Sequence, residues 1–162
     1  MIAITDHGPE LSVGIDHRLL HPYVQELRKL QTMGSLPLLV GMEVNIVDQY
    51  GNIDVPPDIL NQLDLPAVSV HYIERTSSPR EVAYAYLYRV KRAVERHFIK
   101  VVSHPFFLHR SLFHYLPREE IEELLKLAAS KGVAMELNVK YRAPDDEFLK
   151  LCLHHGVKLS VG

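Results

Sequence analysis

The sequence predicts an α/β fold built on parallel strands. Two observations carry this. Short apolar runs alternate with helical patterns six times along the 162 residues, the signature of parallel strands joined by crossovers. Four stretches also share one design: Ile2-Ala3-Ile4-Thr5-Asp6-His7-Gly8, Ser69-Val70-His71, Val101-Val102-Ser103-His104-Pro105 and Met135-Glu136-Leu137-Asn138. Each is a mostly β-branched run that ends in a residue able to bind metal or move a proton.

Residues 2–5 read as the first strand, followed by a loop over 6–20 broken by Gly8, Pro9 and Gly14. His21-Pro22 opens a helix, because proline suits the first helical position. Tyr23, Leu27, Leu30 and Met33 form its expected apolar stripe, and Gly34 its stop. The second strand spans 38–47 and carries Glu43 inside its apolar run. Turn chemistry at 48–52 lets residues 53–55 pair back as a hairpin. Pro56-Pro57-Asp58 starts a short helix to Leu63, and the third strand runs from Pro66 to His71.

A long helix is expected from Pro79 to about His97, with Val82, Tyr86, Val90, Ala93 and Val94 on its apolar side. Strand 100–103 leads into His104-Pro105, then an irregular aromatic stretch over 105–116. The next helix opens at Pro117 with acids in its first turn, where the helix dipole favours them. It buries Ile121, Leu124, Leu125 and Ala128 and ends at Gly132. Strand 133–138, a helix opening at Pro144-Asp145-Asp146 and strand 157–161 complete the pattern. It fits a doubly wound sheet or part of a (β/α) barrel. No Gly-rich phosphate loop follows any strand, which argues against nucleotide binding.

The length is that of a single domain, 1–162. A net charge of −2 leaves no basic footprint for nucleic acid. Cys152 stands alone, which excludes an internal disulfide and favours a reducing, cytoplasmic compartment. No apolar run approaches the roughly 20 residues that span a bilayer. The informative excess is histidine, at ten. His17, His97, His154 and His155 fall in helical or helix-end patterns and carry no functional reading.

The remaining candidates cluster at strand ends. His7 follows the first strand, and Glu43 lies toward the end of the second strand's core run. His71 ends the third strand and His104 the fourth. Glu136 and Asn138, two apart, share one face of the fifth. Parallel βα units carry their sites at the C-terminal strand ends. Burying an unpaired carboxylate is costly, so Glu43 within an apolar strand points to a role. Histidine and carboxylate together suit zinc, manganese or iron, and one Glu with two His supplies a first shell with open positions. His109 and His114 fit a lid or a supporting shell.

Ile4-Thr5-Asp6-His7-Gly8, Gly41-Met42-Glu43-Val44-Asn45, Ser69-Val70-His71, Ser103-His104-Pro105 and Glu136-Leu137-Asn138 together resemble the PHP domain family, named for polymerase and histidinol phosphatase. The Thr-Asp-His-Gly-Pro start and the hairpin after Glu43 look most like its small phosphatase-like branch. The resemblance implies a distorted (β/α)7-type barrel, a centre of up to three divalent metals, and phosphoesterase chemistry on a small phosphorylated substrate. It implies Glu43 as the carboxylate shared between metals, His71 and His104 as completing its site, and His7 on a separate metal. Asp6 would orient the loop or support the shell, as would Glu136 and Asn138. Arg75, Arg110 and Arg142 follow these strands and are candidates to hold phosphate.

The family's opening His-x-His and closing Asp-x-His motifs have no counterpart in residues 1–162. The resemblance therefore implies a chain truncated at both ends, with six of seven strands and one metal or none fully ligated. The first and last strands would then present edges through which copies could associate. Beside a metal-dependent phosphoesterase stand two alternatives. One is a catalytically incomplete chain that binds metal weakly or needs a partner. The other is an amidohydrolase-type C–N hydrolase.

Overall fold

The computed structural model describes residues 2–34, 36–74 and 78–162. Six strands form one sheet: β1 (Ile2–Ile4), β2 (Leu38–Asn45), β3 (Leu65–Ser69), β4 (Val101–Val102), β5 (Ala134–Leu137) and β6 (Leu159–Val161). Every pairing is parallel, and the spatial order is the sequence order. A doubly wound sheet requires that order to reverse at a switch point. Here it never does, which leaves the barrel reading. The six strands curl into a half-barrel. Its concave face encloses a cavity of about 450 Å³ touched by every strand, from Ala3, Glu43, Ala67 and Val101 to Glu136 and Ser160.

Strand alternation assigns the two faces. In β2, Val40, Met42 and Val44 are fully buried against the helices, while Leu39 and Glu43 line the concave side. Gly41 lies between Leu39 and Glu43. A Cβ there would lie 2.7 Å from Thr5 Cγ2 and 2.9 Å from the Ile4 carbonyl, so only glycine lets β1 approach this closely. Ala67, Val101 and Ala134 form a small second apolar cluster across the middle strands. Glu43 thus points inward because its register is fixed by the buried residues either side of it.

The helices are α1 (Leu20–Met33), α2 (Pro57–Leu60), α3 (Pro79–Arg96), α4 (Arg118–Lys131) and α5 (Asp146–His154). α3 and α4 follow their expected stripes. Tyr86, Val90, Ala93 and Val94 are buried on α3, and Ile121, Leu124, Leu125 and Ala128 on α4. Gly132 ends α4 at φ 69°, the left-handed stop that glycine permits. Tyr86, Phe106, Phe113 and Phe148 pack as an aromatic cluster, with Phe106 and Phe148 centroids 5.3 Å apart.

α1 departs from expectation. It starts at Leu20, after a 3-10 turn at His17–Leu19, so Pro22 sits in the third position. Its buried face is Leu20, Val24 and Leu27, while Leu30 is 51% and Met33 82% exposed. The helix meets the sheet along i, i+4, i+7, and its last turn runs past the contact. Gly34 is extended (φ −89°, ψ 151°), not left-handed, although its N–H still reaches the Leu30 carbonyl at 3.0 Å. The strands are shorter than their apolar runs: β3 stops at Ser69 and leaves His71 just beyond it. The hairpin after β2 is present as the antiparallel bridge Ile46–Ile53. Among the described residues, no helix is long and apolar enough to cross a membrane.

Candidate metal centre

Three strand ends converge on one carboxylate oxygen. Glu43 Oε1 lies 3.2 Å from His104 Nε2, 3.4 Å from His71 Nε2 and 3.8 Å from His7 Nδ1. His7, Glu43 and His71 offer ligand atoms all within 4.8 Å of one another. The rings stand edge-on in series, His7 to His71 at 5.1 Å and His71 to His104 at 5.2 Å. Among the described residues, His7 forms that group with Glu43 and His71, while His104 makes the shortest of the three approaches to Glu43 Oε1.

Backbone pairing puts His7 there. The Glu43 N–H donates to the Asp6 carbonyl at 3.0 Å, and the Gly8 N–H to the Glu43 carbonyl at 2.8 Å. His7 and Glu43 are thereby parallel bridge partners. Asp6 is exposed and acts through its backbone, its N–H also reaching the Tyr23 hydroxyl at 3.4 Å.

His104 holds φ at 32°, a region costing a non-glycine residue about 1–3 kcal/mol. Its N–H is anchored at 2.6 Å by Glu136 Oε2, which also accepts from Asn138 Nδ2 at 3.1 Å. Glu136 and Asn138 therefore support the site from the shared face that their spacing predicts.

The charges are mutually adjusted. Burial opposes ionisation of Glu43, but the His104 hydrogen bond and the charges of His104 and His7 outweigh it, holding its pKa below the usual carboxylate value. For His104, burial is likewise outweighed by Glu43, and its pKa is raised. Burial dominates at His71 and lowers it to about 4, against the pull of Glu43. His71 thus stays neutral, the form that ligates metal.

A buried network stands behind His71. Its Nδ1 meets Asn45 Oδ1 at 2.7 Å and Ser69 Oγ at 3.0 Å. Asn45 Nδ2 donates to Asp54 Oδ2. Asp54 also accepts the N–H of Asn45 at 2.8 Å and of Glu10 at 3.1 Å. Burial raises the Asp54 pKa, against these three donors.

Asn45, Ser69 and Asp54 are not among the residues singled out by the sequence. The first two were accessible to the rule used for Glu136 and Asn138, since each lies two residues from a candidate ligand on the same side of its strand. Asp54 depends on the hairpin folding back, which spacing alone does not place.

An aromatic wall flanks the site. Val70, His71, His104, Phe107, His109 and Tyr141 line a pocket of about 90 Å³. Tyr141 stacks on Phe107 at 4.9 Å and meets His104 edge-on at 5.5 Å. Arg142 borders a different pocket, with Phe106, Ser111 and Asp145. Arg110 is exposed in the loop, its carbonyl accepting from the Leu108 N–H at 3.0 Å. His114 lies 3.8 Å from Asp145, away from the three imidazoles. Arg75 falls outside the described residues.

The donor set fits a divalent cation. His7 Nδ1 is buried without a hydrogen-bond partner and faces Glu43, which leaves a polar atom that a metal would satisfy. One carboxylate and two imidazoles leave further coordination positions open.

No family model matches the chain. It is 28% identical over 168 residues to a protein of Caldicellulosiruptor bescii named probable phosphatase, covering 99% of this chain and 65% of that one. A probable phosphatase of Thermoanaerobacter sp. (strain X514) is 29% identical over 171 residues, covering 100% and 64%. The chain thus spans 64–65% of the length of these curated relatives. Among solved structures, a candidate histidinol phosphatase from Listeria monocytogenes superposes with a TM-score of 0.74 at 16% identity, covering 99% of this chain and 81% of that one. At that identity the likeness is one of fold.

Proposed function

We propose that this chain is a metal-dependent phosphoesterase of the PHP kind. One observation carries the reading: three imidazoles from three strand ends surround a single inward-facing oxygen of Glu43. The relatives named probable phosphatase support it. His7, Glu43 and His71 would hold zinc, manganese or iron, with His104 bonding the same Glu43 oxygen. A divalent ion there would supply Lewis acidity toward a phosphoryl oxygen and a more acidic water.

The chain's own groups do the rest. Glu43 keeps its negative charge through His104 and His7. Phe107 and Tyr141 wall the site on one side. The reaction is hydrolysis. Water oxygen joins phosphorus, the ester P–O bond breaks, and the leaving alcohol takes the proton. The substrate is a small phosphate monoester entering over the strand ends.

The test is phosphate release from p-nitrophenyl phosphate by the 162-residue chain with added Mn²⁺, Zn²⁺ or Fe²⁺. Turnover should require metal, and Glu43→Ala should reduce it more than about 100-fold, beyond what changes outside the ligand shell produce. Turnover that survives both chelation and Glu43→Ala overturns the proposal. Metal binding without turnover in any of the three metals would replace it with a metal-binding, non-catalytic chain.

A further inference from the structure

We propose that Asp54 is the positioning residue of this centre: through Asn45 it holds His71 in the tautomer whose Nε2 lone pair faces Glu43, and through the Glu10 N–H it pins the loop that follows His7. The inference rests on reading His7 and His71 as metal ligands.

Asp54 and Asn45 are 8% and 5% exposed, so their hydrogen bonds are made within the protein. Proton positions along the chain follow from donor and acceptor types. Asp54 already accepts a backbone N–H at each oxygen, from Asn45 at Oδ1 and from Glu10 at Oδ2, and an ionised carboxylate in that role only accepts. The Asn45 side chain must therefore turn its NH₂ toward Asp54 Oδ2. Its carbonyl oxygen then faces His71 Nδ1 at 2.7 Å. That oxygen carries no hydrogen, so Nδ1 must supply one. A neutral imidazole protonated on Nδ1 has its lone pair on Nε2, the atom 3.4 Å from Glu43 Oε1. The Ser69 hydroxyl, 3.0 Å from the same Nδ1, can rotate to accept and so does not compete.

The second arm is structural. Asp54 Oδ2 also takes the Glu10 N–H at 3.1 Å, three residues beyond His7. Contact there is so close that a Cβ on Gly8 would lie 2.5 Å from Asp54 Oδ2. One buried carboxylate thus braces the supports of two ligands from different strands. Such outer-shell partners fix ligand orientation and basicity, and their loss costs metal affinity roughly 10–100-fold.

Long-range ¹⁵N–¹H correlation of the imidazoles reads the tautomer directly in the chelator-treated full chain, with Zn²⁺ affinity as a second readout. In the wild type, His71 should be protonated on Nδ1. In Asp54→Asn the Asn45 amide is freed to turn over. His71 should then move toward the Nε2–H form, and Zn²⁺ affinity should fall about 10–100-fold.

The double substitution Asn45→Asp/Asp54→Asn restores an obligate acceptor beside Nδ1 and should return the Nδ1–H form. A general packing defect would not do this. Nε2–H in the wild type overturns the proposal, as does Asp54→Asn with both tautomer and affinity unchanged. If Asp54→Asn does not fold, the wild type and the double variant decide, and Nε2–H in either one overturns it. A wild type that binds none of Zn²⁺, Mn²⁺ and Fe²⁺ refutes the functional reading, while the tautomers still decide this one.

Discussion

His104 Nε2 lies 3.2 Å from Glu43 Oε1, the oxygen that His71 Nε2 approaches to 3.4 Å. The two imidazoles differ in the other ring nitrogen. His71 Nδ1 is bound by Asn45 and Ser69, whereas His104 Nδ1 is buried without a partner. On the proposed reading, His71 would act as an oriented ligand and His104 would set the Glu43 carboxylate. His104→Ala should weaken Zn²⁺ binding about 10-fold. His7→Ala and His71→Ala should each weaken it more than about 100-fold. Competition titration against a chromophoric chelator ranks the three. Equal losses would return His104 to the ligand set.

Gly8→Ala tests the brace from the loop side. The new methyl would meet the Asp54 carboxylate at 2.5 Å, closer than any Cβ contact tolerates. The loop must lift, which takes the Glu10 N–H from Asp54 and disturbs His7. We expect a loss of about 1–3 kcal/mol in unfolding free energy. Zn²⁺ affinity should fall with it. Chemical denaturation and metal titration of the one variant measure both.

Phe148→Ala separates fold from site. Phe148 is fully buried between Phe106 and Phe113, with centroids at 5.3 Å and 5.8 Å. Its truncation leaves a cavity and should cost about 3–5 kcal/mol in urea denaturation. Zn²⁺ affinity of the folded variant should stay within about twofold, because the Phe148 ring packs on Phe106 and Phe113 and not on His7, Glu43 or His71.

Arg28 and Asp64 give a pH-dependent contribution. The guanidinium reaches both carboxylate oxygens, at 2.7 Å and 2.9 Å, and Gln31 and the Val40 N–H add bonds at 3.0 Å. Partial burial works against the charge, but these bonds outweigh it and hold the Asp64 pKa below the usual value. A depressed folded-state pKa stabilises fully above the unfolded value of about 3.9. That stabilisation is lost as pH falls through the folded value. Asp64→Asn should cost about 1 kcal/mol near neutral pH, since the pair is partly exposed. The cost should vanish below the folded pKa. Urea midpoints of both proteins across acidic pH test the convergence.

Much of this was legible in the sequence because the signals were local. The stripes of α3 and α4 and the glycine at 132 are periodic features, and the structure places them as read. Glu43 stood out because a carboxylate inside Leu-Val-Gly-Met must have a reason to be there. The curl of the sheet was not local. Strand order decides between barrel and doubly wound sheet, and no single run encodes it. The grouping of His7 with His71 depends on backbone pairing between Asp6, Gly8 and Glu43, which spacing does not reveal. Asp54 was missed for the same reason, since a hairpin brings it under Asn45 from nine residues away. The stripe of α1 was misread because Leu30 and Met33 extend the apolar pattern beyond the surface that covers it.

The most direct test asks whether one metal sits at His7, Glu43 and His71. Isothermal titration of the chelator-treated chain with Zn²⁺ measures this, with Glu43→Ala as the comparison. The predicted result is one strong site per chain in the wild type and none in the variant. Equal stoichiometry and affinity in both proteins would contradict it.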